Sequence, residues 1–233
     1  MRSTKAQIGL AAILLLLSVR SVAAANVACP TESLAYYQSN FTSLSPCTQG
    51  DLIFLNFAFQ KTTVAGSISA SDIMITPNGV DGLSFFAPLF NGTFPSLERY
   101  AIGYTADPAP ILAGDELSLD PPQGGITVSK YSCADDLLTF GNINDPSTYK
   151  CVVKNTSPFA LTVSPQNLSA SLSYPFPATF VTALMIIELQ GTVSGLEGIL
   201  SDNTLVPEPA TFSMLCGALL AGLAFGRRRK PPL

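Results

Sequence analysis

TFVTALMIIELQG, residues 179–191, is the longest apolar run in the body of the chain. Its length fits a helix as well as a strand. Its composition does not: Val181, Thr182, Ile186 and Ile187 are β-branched, and such side chains lose rotamer freedom in a helix but pack well on a pleated surface. The run therefore reads as a long or bent strand, and it sets the reading of its neighbours. GTVSGLEGILSDN, 191–203, is expected to pair back on it. DLIFLNFAFQ, 51–60, places Ile53, Leu55, Phe57 and Phe59 on one face and Leu52, Phe54, Asn56 and Ala58 on the other. Two mostly apolar faces predict a central buried strand.

Shorter candidates fill the space between. SDIMITP (71–77) stops at Pro-Asn-Gly, and LSFFAPLF (83–90) is interrupted by Pro88. ERYAIGYTA (98–106), ELSLD (116–120) and GITVSKYS (125–132) alternate, with Ile126, Val128 and Lys130 on one face. TYKCVVK (148–154), FALTVS (159–164) and NLSASLSY (167–174) follow, and Pro175 and Pro177 then break the chain. One short helix is expected after Thr31, through Leu34, Tyr36 and Tyr37. About ten strands punctuated by turn residues predict an all-β, two-sheet β-sandwich. The pattern leaves immunoglobulin-like and jelly-roll arrangements both open.

The ends differ from the body. MRSTKAQIGLAAILLLLSVRSVAAA opens with Arg2 and Lys5, continues through the apolar stretch Ile8 to Leu17 and closes on Ala23-Ala24-Ala25. That is the layout of a secretory signal peptide, cut after Ala25. Residues 26–205 form the extracytoplasmic domain. They hold five basic side chains and fifteen acidic ones, so the exported body carries 5 − 15 = −10. Such a surface repels polyphosphate and argues against nucleic acid as a partner. There is no His and no Trp. The first absence excludes a Ser-His-Asp triad, a Cys-His pair and His-ligated zinc. The second removes the commonest large stacking platform, leaving Tyr and Phe.

Cys29, Cys47, Cys133 and Cys151 make an even set in an exported chain, which predicts disulfides. Four cysteines allow three connectivities. Local pairing, 29–47 and 133–151, closes two modest loops with equal spacing, each contributing about 3 kcal/mol in the chain-entropy model. Cys216 lies apart, in the C-terminal apolar run.

Residues 206–230 read VPEPATFSMLCGALLAGLAFGRRRK. The prolines hold Val206-Pro207-Glu208-Pro209 extended. Thr211 to Gly226 carries no charge; as a transmembrane helix it would be about 24 Å long, short of a hydrocarbon core but extendable by snorkelling of Arg227, Arg228, Arg229 and Lys230. The basic cluster would stay cytoplasmic, with the body outside. Pro207-Glu208-Pro209, the apolar run and the basic cluster together resemble the PEP-CTERM sorting signal of bacterial exported proteins. The resemblance implies recognition by an exosortase, a membrane-embedded enzyme that cleaves near the motif and passes its substrate to the cell surface or extracellular matrix. The body is also similar to acidobacterial exported PEP-CTERM proteins of unassigned activity, through Cys29 to Cys47, Gly50-Asp51-Leu52, ASDIMITP (70–77) and IGYTA (102–106). That likeness implies no catalytic residue and no cofactor.

Candidate chemistry in the body is sparse. Asp135, Asp136 and Asp145, with Asn142 and Asn144, cluster within the second cysteine loop as oxygen ligands for calcium, against the turn-forming role such residues fill in loops. Asp115, Glu116 and Asp120 supply carboxylates of the kind glycoside hydrolysis needs, against simple projection into solvent from strand positions. Neither GGITVS (124–129) nor Gly191, Gly195 and Gly198 forms a phosphate loop. The resulting expectation is a non-catalytic surface or matrix protein, membrane-anchored with its body outside until an exosortase releases it. The alternative is a carbohydrate-binding module or weak glycan-active enzyme of the extracellular polysaccharide. A concave face with aligned Tyr and acidic side chains would favour that alternative.

Overall fold

The computed structural model describes residues 27–62, 68–79, 81–108 and 111–206. The signal peptide at 1–25, the motif Pro207-Glu208-Pro209, the apolar run 211–226 and the basic stop Arg227 to Lys230 lie outside the described residues. Among the described residues no helix is long and apolar enough to cross a membrane.

In chain order the strands are β1 (Val27–Ala28), β2 (Glu32–Ser33), β3 (Cys47–Gln49), β4 (Leu52–Lys61), β5 (Met74–Asn78), β6 (Gly82–Phe86), β7 (Gly92–Pro108) and β8 (Leu112–Asp120). They continue as β9 (Gln123–Ala134), β10 (Leu138–Thr139), β11 (Lys150–Cys151), β12 (Phe159–Val163), β13 (Ser169–Ala178), β14 (Val181–Ser194) and β15 (Gly198–Leu205). One helix, α1 (Leu34–Asn40), follows β2. Its N-cap is Ser33, whose Oγ accepts from the backbone N–H of Tyr36, rather than Thr31.

Two large sheets pack as a sandwich. The first has the order β1-β3-β4-β7-β14-β9-β12 and the second β13-β8-β15-β6-β5-β2, with β10 and β11 forming a small separate hairpin. The core lies between the two large sheets. The run that decided the fold is β14, central in the first sheet and bonded to β7 and β9 on either side. Val181, Ala183, Met185, Ile187 and Leu189 point into the core. Leu184 and Ile186 point the other way, yet they too are buried, with Ala101 and Tyr149, by residues around the β10–β11 hairpin. That second cover explains why the run is apolar on both faces rather than alternating.

Three expectations need correction. β4 is not buried on both faces: Ala58 is exposed while Leu52, Phe54 and Phe57 are buried. Asn56 adopts φ 57°, and the register with β7 shifts between Leu55 and Ala58. This bulge advances the pleat by one residue, so Leu52 and Phe54 share the core with Phe57 instead of opposing it. Asn is among the few side chains that tolerate this left-handed conformation. Next, β15 does not pair back on β14; it crosses to the other sheet and lies between β6 and β8. The chain makes that crossing after Gly195, at φ 69°, where the absence of a Cβ allows the turn. Finally, only Lys150–Cys151 of the 148–154 segment is a strand, and residues 152–155 form a turn.

Candidate functional site

The disulfides are Cys29–Cys47 and Cys133–Cys151. The second ties the end of β9 to β11 and so fixes the loop that carries most of the candidate residues. At Asp135 the chain leaves the sheet with φ 49°. Its Oδ1 accepts from the N–H and hydroxyl of Thr179 at 2.6 and 2.8 Å. Asp136 is buried and accepts three backbone N–H groups, from Leu137 and Val153 on Oδ1 and from Lys154 on Oδ2, at 2.8 to 2.9 Å. Asp145 caps the turn Pro146–Thr148 by accepting from the N–H and hydroxyl of Ser147. Of the three calcium candidates, Asp136 thus spends both carboxylate oxygens, and Asp135 and Asp145 spend Oδ1, on nearby backbone and hydroxyl groups. They are turn and cap formers, and no cluster of metal-ligating side chains is found among the described residues.

These hydrogen bonds carry a pH signature. Burial pushes the Asp136 carboxyl up, but the three N–H donors outweigh it and hold the group below the ordinary carboxylate range. Asp135 is held low in the same way by Thr179 and Phe180. A folded pKa below the unfolded one contributes stability above the unfolded pKa and loses it as pH falls through the folded value. Asp81, Asp107 and Asp202 shift the opposite way, raised chiefly by burial, so their protonation offsets part of that loss. Thermal unfolding should therefore show an acid limb that steepens below about pH 4, and Asp136→Asn should flatten it while lowering the midpoint at neutral pH.

β12 and β13 are edge strands of opposite sheets, and a cleft of about 480 Å³ opens beside them. Phe159 on β12 and Pro175 and Phe176 on β13 line it, with Asp135, Lys154 and Ser157 at its polar side. Phe176 stands on the register shift between Ser173 and Ala178 and is 79% exposed; Phe159 is 37% exposed and packs on Tyr174 at 5.3 Å between ring centroids. Lys154 is steadied by donating to the Ala134 carbonyl at 2.7 Å. The Asp136 clip and the disulfide hold this wall without help from a ligand. No tyrosine lines this cleft: Tyr37, Tyr100, Tyr104, Tyr149 and Tyr174 are buried, and neither the exposed Tyr36 nor the half-buried Tyr131 borders it. Phe159 and Phe176 line it instead, and Phe176 stands out at a strand irregularity that alternation alone does not reveal.

Asp115 is not a surface carboxylate. It is fully buried, and so is Lys130 on the facing sheet, with Lys130 Nζ 2.8 Å from Asp115 Oδ1. Nζ also donates to the Asp202 carbonyl at 3.3 Å and lies 5.9 Å from the Tyr104 ring centroid. Tyr174 donates to Asp115 Oδ2. Burial alone would push the Lys130 amine down, but the Asp115 charge and hydrogen bond hold it above the ordinary lysine range. Burial and the same carboxylate push the Tyr174 hydroxyl far up. Glu116 and Asp120 do face outward, as expected of strand carboxylates. Glu116 joins Asp81 and Asp202 around a second, acidic cleft of about 250 Å³.

No protein-family model and no curated protein sequence matches the chain. Solved structures similar to it include the following two. One is TmCBM61 in complex with beta-1,4-galactotriose, at 8% identity and TM-score 0.34, covering 65% of this chain and 88% of that one. The other is the Glycosylation Associate Protein (Gap123) complex from Streptococcus agalactiae, at 14% identity and TM-score 0.27, covering 63% of this chain and 24% of that one. Likeness at this level carries no functional argument.

Proposed function

We propose that the chain is an exported, non-catalytic protein of the cell surface or extracellular matrix that adheres to polysaccharide through the Phe159–Phe176 cleft. The observation that carries the adhesive role is Phe176. A sandwich that buries its large aromatic side chains leaves this ring 79% exposed, beside a second Phe and a charged rim. The C–H faces of a sugar ring pack against such rings, and its hydroxyls take partners from Asp135, Lys154 and Ser157. Two disulfides support an oxidising destination. The PEP-CTERM resemblance supports the route, with Pro207, Glu208 and Pro209 as the extended handle gripped by an exosortase.

Affinity electrophoresis of the exported protein in gels cast with neutral polysaccharides tests the adhesive role. Wild type should be retarded in at least one gel. Phe176→Ala with Phe159→Ala should weaken that binding about tenfold or more, equivalent to at least ~1.4 kcal/mol, with the far-ultraviolet spectrum unchanged. Equal retardation of the two proteins, or none in any gel, refutes the reading. Replacing Pro207, Glu208 and Pro209 with Ala should hold the protein in the membrane fraction of an exosortase-containing host, and normal surface delivery would refute the sorting role. The acidic cleft favours a second reading, a glycan-active enzyme, because Asp81 and Asp202 both lie above the ordinary carboxylate range. Reducing-sugar release that vanishes in Asp202→Asn would select it.

A further inference from the structure

The polar cluster inside the core holds more chemistry than an ion pair requires. Asn203 on β15 stands directly opposite Asp115 on β8. Both are buried, and directly opposed residues on paired strands bring their Cβ atoms to about 4.5–5.5 Å on one face. Lys130 reaches this face from the other sheet: Nζ touches Asp115 Oδ1 at 2.8 Å and, at 3.3 Å, the carbonyl of Asp202, the residue bonded to Asn203. A buried lysine–aspartate pair alone accounts for those contacts. It does not account for Asn203, whose Oδ1 is buried without a hydrogen-bond partner and whose Nδ2 makes only a long contact, 3.4 Å, to the Asp81 carbonyl. A loosely held carboxamide, directly opposite the carboxylate that pairs with a buried amine and at the wall of the acidic cleft, is an arrangement suited to acyl transfer.

We infer that Lys130 and Asn203 become joined by an amide bond across the sandwich, formed by the protein's own side chains with Asp115 as the proton carrier. The step balances without any co-reactant. The ammonium proton passes along the 2.8 Å Lys130–Asp115 hydrogen bond, giving a transient neutral amine and neutral acid. The Nζ lone pair attacks Cγ of Asn203. Asp115 hands its proton to Nδ2 and takes the one that Nζ sheds. The Cγ–Nδ2 bond breaks, the Cγ–Nζ bond remains, and ammonia departs. It leaves as ammonium, carrying the last proton away and restoring the Asp115 carboxylate. Tyr174, donating to Oδ2, keeps the carboxylate turned for both transfers. Asn203 also lines the acidic cleft with Asp81, Glu116 and Asp202, which gives a cationic product a way out.

Peptide mapping of the exported wild-type protein, reduced and denatured before digestion, reads the bond directly. The expected product is a branched peptide joining the segments around Lys130 and Asn203, with a mass equal to their sum less one ammonia, and no cleavage by trypsin at Lys130. Linear peptides carrying free Lys130 and intact Asn203 would overturn the inference. A branch from Lys130 to Asp115, lighter by one water instead, would overturn the assignment of Asn203 as acceptor. Lys130→Arg, Asn203→Ala and Asp115→Ala should each yield linear peptides only; a branch surviving in Asp115→Ala would remove the proposed role of that carboxylate. The wild-type measurement stands even where a variant does not fold.

Discussion

Lys130→Met is expected to destabilise the folded sandwich by about 3–5 kcal/mol through the stranded carboxylate alone. Asp115 has no access to water, and without Nζ its charge keeps only the Tyr174 hydroxyl. The single variant removes one partner of a desolvated pair, which is the costly way to break it. Adding Asp115→Leu removes the orphaned charge as well, and in that respect two apolar side chains of similar volume are close to neutral. The double variant should therefore recover that component. It should still fall short of wild type by about 4 kcal/mol, the loop-closure contribution expected of a covalent link between Lys130 and Asn203. Denaturant midpoints at constant slope measure both differences. Full recovery in the double variant would mean that only the ion pair joins the sheets there. A single variant as stable as wild type would mean that the pair is not desolvated in solution.

Fold class and side-chain surroundings were unequally legible in the sequence. The all-β class followed from Val181, Thr182, Ile186 and Ile187 in one run, because β-branching is a local property and local properties are written in the residue types. What lay on each side of that run was not local. Leu184 and Ile186 are covered by Tyr149 and its neighbours, which are distant in sequence and are brought over the sheet by the Cys133–Cys151 bridge. The phase error in β4 has a single-residue cause, Asn56 at φ 57°. Asn in an apolar alternation was the available signal for a bulge. The partner of β15 was misplaced because strand pairing across sheets depends on which edge remains open, and no residue in 191–203 encodes that. Asp115 shows the sharpest limit. Asp-Glu at 115–116 reads as surface carboxylate on composition, and only the facing Lys130, itself placed among Ile126 and Val128 on one strand face, hinted that a buried charge needed a partner. An isolated lysine on an apolar strand face is the pattern to look for in similar chains.

The two disulfides allow stability and binding to be separated. Cys133→Ala with Cys151→Ala should cost about 3 kcal/mol, and so should Cys29→Ala with Cys47→Ala, because both bridges close loops of the same length. Their structural surroundings differ. Cys29–Cys47 fastens β1 and β3 at one edge of the first sheet, far along the strand order from β12. Cys133–Cys151 fastens the loop whose turn residues, Asp135 and Lys154, form the polar side of the Phe159–Phe176 cleft, and Cys151 itself lines that cleft. Without the bridge the Asp136 clip to Val153 and Lys154 must hold the loop alone, and its ordering cost is then met by the ligand at the moment of binding. Polysaccharide retardation should consequently drop sharply for the 133/151 variant and stay near wild type for the 29/47 variant, at a temperature where both are folded. Calorimetry and affinity electrophoresis on the same preparations make the comparison. Equal loss of binding in both would place the contact surface elsewhere on the sandwich. Retention in both would mean that the rings of Phe159 and Phe176 bind without their charged rim, which would recast the cleft as an apolar contact rather than a site for sugars.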